Sequence, residues 1–79
     1  MDKTAEEIAQ DYIAMGHSVT LITDIIAGNA MADDTAEDKQ DTVDRNVEHL
    51  ELMVAKDYWT SESMTAVNSA ITAGNGYTA

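Results

Sequence analysis

The sequence predicts an all-α fold: a small three-helix bundle built on a long antiparallel helix hairpin plus a shorter third helix. Apolar residues recur at steps of three and four in three separate segments. A threonine precedes each segment, and a glycine–asparagine pair follows the first and the third. No proline occurs anywhere to interrupt a helix. At 79 residues the chain is one domain, 1–79, in the size range where a single core is thin and association often adds stability.

The first helix is expected over about 4–27, starting at Asp2 or Thr4. Thr4-Ala-Glu-Glu7 fits a capping box, and Glu6 and Glu7 lie at the positive end of the helix dipole. Ile8, Tyr12, Met15, Val19, Ile22 and Ile26 follow at steps of 4, 3, 4, 3 and 4, which is one helix face. Gly28-Asn29 supplies a left-handed stop. After the short connector Ala30–Asp33, Asp34 or Thr35 caps a second helix over about 35–56, with Val43, Val47, Leu50 and Val54 on its apolar face. Comparable helix lengths and a short connector favour a hairpin. Asp57-Tyr58-Trp59-Thr60 forms the next corner, where Trp59 is expected to plug the end of the bundle with its indole N–H reaching a partner or water. Thr60 or Ser61 caps a third helix over about 61–73, carrying Met64, Val67 and Ile71. Its ending, Ile71–Asn75, looks like Ile26–Asn29 and reads as the same cap used twice, leaving 74–79 as a tail that frays if free.

Charge and composition narrow the functional classes. Lys plus Arg total 4 against 15 acids, a net charge of −11, so direct binding to nucleic-acid phosphates is disfavoured and basic or apolar protein partners are expected. Absence of cysteine removes disulfides, thiolate zinc sites and cysteine nucleophiles. The stretch Tyr12–Gly28 is broken by His17, Ser18, Thr20, Thr23 and Asp24, so neither a membrane span nor a signal peptide is expected. The acidic run from Asp33 to Glu51 lacks the glycine turn of an EF-hand and reads as a solvated helix face or a surface for a basic partner.

Catalytic signatures are missing at the level of spacing. Ser18 follows His17 directly, so their side chains diverge on a helix, and neither His17 nor His49 has a ligand at i+4. No phosphate loop, paired-acid cleft or metal quartet is readable, which points to a non-enzymatic protein with no cofactor, no metal and no small-molecule substrate. Acyl carrier proteins share length, acidity and helicity, but Gly16-His17-Ser18-Val19 lacks their Asp-Ser-Leu motif and sits inside a helix.

What the pattern does offer is surplus apolar surface. On the far side of the first helix from its main stripe lies a second row, Ile13, Ala14, His17 and Leu21, with Ile25 on its flank. Either the third helix covers this row or another chain does. With Trp59 and Tyr77, these residues form the expected protein interface.

The segment Val43–Trp59, followed by Ser61–Val67, resembles small acidic proteins of tailed bacteriophages, most of all those of marine cyanobacterial phages. The likeness covers about the C-terminal half and brings no functional residues with it. It implies a virion component (a decoration, adaptor or fibre-associated protein), assembled in the host cytoplasm and docked on itself or on other virion proteins. It also admits an acidic protein that occupies a basic host surface, such as a mimic of DNA.

Overall fold

A computed structural model describes residues 4–56 and 59–79. They form three helices, α1 (Ala5–Ala27), α2 (Ala36–Val54) and α3 (Ser61–Asn75), each packed against the other two. The possible start at Asp2 and the corner residues Asp57 and Tyr58 lie outside the described residues. The bundle measures 41 × 19 × 18 Å, somewhat longer than α1, whose 23 residues span ~35 Å.

Threonine begins every helix for the same reason. Thr4, Thr35 and Thr60 hold extended backbone, and each side-chain oxygen accepts from the N–H three residues on, at Glu7, Asp38 and Ser63. One otherwise orphaned donor is thereby satisfied at each start. The ends differ from one another. Gly28 closes α1 at φ 82°, and the Asn29 N–H donates to the Asp24 carbonyl at 2.8 Å. The connector then crosses to α2 with Met31 at φ 56° and Ala30 and Met31 resting on the core. The end of α2 comes at Val54, two residues earlier than expected, where the Trp59 indole donates to the Met53 carbonyl at 2.7 Å. The indole thus finds a backbone carbonyl as its partner, while the half-buried ring lines open surface between α1 and α3.

The expectation of a repeated cap fails at α3. The helix runs on to Asn75, and Gly76 after it is right-handed, at φ −88°. Gly74 is an interior residue of α3, buried against α2 and α1. A Cβ at Gly74 would overlap Val47 Cγ2 and would lie 3.5 Å from Val43 Cγ1 and 3.6 Å from Ile22 Cγ2. Glycine is there because the helices approach closely. The tail is also held: the Gln40 side chain donates to the Tyr77 carbonyl at 3.2 Å and accepts from the Ala79 N–H at 2.9 Å.

The core consists of Met15, Ile22, Ile25, Val43, Val47, Leu50, Met53, Val67 and Ala70. Six of these were expected from periodicity, whereas Ile25, Met53 and Ala70 were not. Conversely, Tyr12 is 54% exposed and Ile26 41% exposed, against the expectation that both are core. Ile8, Val19, Val54, Trp59 and Ile71 are half-buried.

One geometric cause covers the α1 differences. At ~100° per residue, the Ile8–Ile26 stripe and the Ala14–Leu21–Ile25 row are not opposite faces but two flanks of one wide arc, centred near Ser18 and Ile22. A helix wedged between two others buries the middle of such an arc. Ser18 is buried and meets α2, while Met15 and Val19 face Glu62, Ala66 and Val67 of α3. The register is antiparallel, since Ser18 pairs with His49 while Ile22, further along α1, lies near Val43 and Val47.

Candidate functional site

Two features stand apart from ordinary core packing, one polar and one apolar. The polar one is Ser18, whose Oγ lies 2.8 Å from Nδ1 of His49 across the α1–α2 interface. The serine is only 5% exposed and the imidazole is half-buried. Sequence spacing placed His49 away from the helix-packing stripe and looked for a serine partner only at His17. The pairing spans 31 residues, so no local pattern could reveal it. A nucleophile–base pair needs an orienting group behind the base and donors for the developing oxyanion. No carboxylate is hydrogen-bonded to His49 among the described residues, and the serine is closed in by the bundle. The bond satisfies a polar group on each of two packed helices. His17 is exposed, and no group of three or more metal-ligating side chains exists among the described residues.

The apolar feature is a trough between the first half of α1 and the start of α3. One part is lined by Ala5, Ile8, Ala9, Ile13 and Trp59, the other by Met15, Gly16, Val19, Ala66 and Val67. Tyr12 and Ser63 line both and lie between the two parts. The outer part is a shallow depression of about 420 Å³, open to solvent. Tyr12 and Trp59 meet with ring centroids 6.3 Å apart and planes inclined at 44°, a tilted pair that props one wall against the other. Ile13 stands 59% exposed on the rim.

The expected interface residues separate into two sets. Ile13 and His17 face solvent, and Trp59 lines the trough. Ile25 is 3% exposed and belongs to the core, which removes it from any interface of the folded chain. Ala14 and Leu21 are half-buried against that core, and Tyr77 packs on it as well. The reason is the wide arc described above: their flank of α1 is turned toward α2. Ile8 and Tyr12, assigned to the core from their spacing, are the side chains that complete the open surface.

The acidic residues Asp33, Asp34, Glu37, Asp38, Asp41, Asp44, Glu48 and Glu51 are all exposed, on α2 and the connector before it. Leu52 stands among them, 72% exposed and isolated from other apolar groups of the trough.

Fold and trough together define a small three-helix protein with charge concentrated on one helix and open apolar surface between the other two. Comparison with protein-family models, with curated proteins and with solved structures found no match. No helix among the described residues is long and apolar enough to cross a membrane.

Proposed function

We propose that this chain is a non-enzymatic structural or assembly component of a tailed-phage particle, docking on another protein through the apolar trough of α1 and α3. The observation that supports docking is the exposure of Tyr12 and Ile13, 54% and 59%, beside the half-buried Ile8 and Trp59. A small bundle can bury a lone apolar side chain by a shift of rotamer, but here four large ones share one concavity. Such patches mark contact surfaces more often than they mark ordinary exposed residues. The phage setting rests on the likeness of Val43–Val67 to small acidic phage proteins, and it implies location in the virion after assembly in the host cytoplasm.

Counting copies of the protein in purified particles by quantitative mass spectrometry tests this role. A reproducible multiple of three, five, six or twelve fits a symmetric structural component, and absence from the particle removes the proposal. Ile13→Asp is expected to leave helicity intact and to release the protein from the particle.

A second reading draws on the full exposure of the acidic run on α2. In that reading α2 is the contact, and it covers a basic host protein by mimicking the charge of DNA. Changing Asp38, Asp41 and Asp44 together to Asn would then weaken binding, and raising salt would do the same over a Debye length of ~8–10 Å.

A further inference from the structure

We propose that Asn75 is a site of spontaneous deamidation, through ring closure by the backbone nitrogen of Gly76, and that the grip of Gln40 on the tail sets its rate. Of the four asparagines in the chain, Asn75 alone precedes glycine; Asn29, Asn46 and Asn68 precede alanine, valine and serine. Glycine has no Cβ, so no side chain shields the nitrogen that must attack. Asn75 is exposed, so water reaches its amide.

In the reaction the Gly76 nitrogen loses its proton to solvent base and bonds to Asn75 Cγ, and the Cγ–Nδ2 bond breaks with release of ammonia. One water then opens the cyclic imide. Opening at the side-chain carbonyl gives aspartate; opening at the main-chain carbonyl gives isoaspartate, with one more methylene in the backbone. Water is the only co-reactant, and no electron changes hands.

The fold opposes the first step. Asn75 is the last residue of α3, and closure requires its ψ to leave the helical well. The attacking nitrogen is engaged, because the Gly76 N–H donates to the Thr72 carbonyl at 3.1 Å. Residues on both sides are pinned. Gly74 is wedged against Val47, while the Tyr77 N–H donates to the Gly74 carbonyl at 3.2 Å and Tyr77 packs on the core. Gln40 then fastens the segment to α2 through the Tyr77 carbonyl and the Ala79 N–H. Rotation at Asn75 swings residues 76–79, so both Gln40 bonds must break first. A terminal turn opens at low cost when nothing holds it, and this clasp is what holds it here.

Either product loosens the same turn. Aspartate puts a negative charge at the carbonyl end of α3, the negative end of its dipole. Isoaspartate lengthens the path from Gly74 to Tyr77 and pulls Gly76 off Thr72. Conversion therefore releases the tail from α2, in one direction only.

The purified protein, held in mildly alkaline buffer and mapped over time by peptide mass spectrometry, reports conversion at each asparagine. Asn75 should convert at least about tenfold faster than the other three. Gln40→Met keeps side-chain length and helix propensity but removes both bonds; it should speed conversion at Asn75 at least about fivefold. Gly76→Ala shields the nitrogen and should slow conversion at least about tenfold. The fold tolerates that change, since φ is −88° and the added Cβ meets only the Thr72 and Ala73 carbonyl oxygens, at 3.6 and 3.8 Å. Val67→Ala weakens the buried core without touching the clasp and should leave the rate within about twofold. Asn75→Asp should speed amide hydrogen exchange at Tyr77 and Ala79.

Equal rates at all four asparagines overturn the proposal, and so does conversion at the parental rate in Gly76→Ala. A rate that Gln40→Met leaves unchanged overturns it too, including one too slow to detect in either protein. Equal acceleration by Val67→Ala makes unfolding of the whole chain the controlling step and removes the clasp from that role. Unchanged exchange in Asn75→Asp removes tail release as the consequence.

Discussion

Around Gly74 the three helices meet with no room for a methyl group, whereas around Tyr12 the same helices part and leave a trough. The closed half contains Ile22, Val43 and Val47, is stoppered by Ala30 and Met31, and is tied to the tail through Gln40. In the open half the Tyr12–Trp59 ring pair and the bond from the Trp59 indole to Met53 link the corner to the helices. Helix propensity does not separate the halves, since each has good helix formers and a threonine cap. Side-chain size does. A glycine in α3 lets one end close, while at the other Tyr12 and Trp59 meet and line an open depression. Stability should therefore reside in the closed half and recognition in the open one.

The strongest test of that division compares two isoleucines of α1. Ile22 is fully buried and Ile13 largely exposed. Ile22→Ala should cost ~2–5 kcal/mol through lost burial and an unfilled cavity. Against a stability of roughly 4–12 kcal/mol for a domain of this size, that can leave the chain partly unfolded at room temperature. Ile13→Ala should stay within ~0.5 kcal/mol. Urea unfolding followed by circular dichroism reads both. Similar losses at the two positions would mean that the open half also supports the fold.

Gly74→Ala probes the close approach itself. Alanine is the better helix residue by ~1 kcal/mol, so an exposed glycine would gain from the change. Here the added methyl meets Val47 Cγ2, a β-branched side chain with little rotamer freedom. Overpacking of this kind costs ~1–3 kcal/mol, enough to reverse the propensity gain. A lower urea midpoint is expected. A higher one would show that α2 and α3 separate at little cost, and the contrast between the halves would disappear.

Features set by near neighbours in sequence were legible before the structure: each helix start to within a choice of two capping residues, the Gly28 stop and most of the helix bounds. So were Ile22, Val43, Leu50 and Val67 as core. Periodicity fixes which residues share a face but not how wide an arc a helix buries. Ile25 and Ile26 are adjacent, and choosing between them required knowing that α1 packs on two helices with its arc centred near Ser18. Tyr12 followed the same logic in reverse, since its phase is that of the core edge and only the divergence of α1 and α3 exposes it. Gly74 was misread because a glycine near a helix end serves equally as a stop or as a contact, and only Val47 distinguishes the two. The Ser18–His49 bond joins distant segments and left no trace in spacing.

The smallest expected effect comes from the other helical glycine. Gly16 lies in the middle of α1, exposed on the trough side, and a Cβ there would meet nothing within 4 Å. Neither φ nor close packing requires glycine at this position, so its backbone freedom is a net cost to the fold. Gly16→Ala should therefore stabilise by ~0.5–1 kcal/mol, a rise in Tm of roughly 2–8 °C for a domain of this length. The sign is opposite to that at Gly74, although the substitution is the same and both sites are helical. If Gly16→Ala destabilises instead, something in the folded chain must close over the trough at that point, and the open half would be less open than its geometry implies.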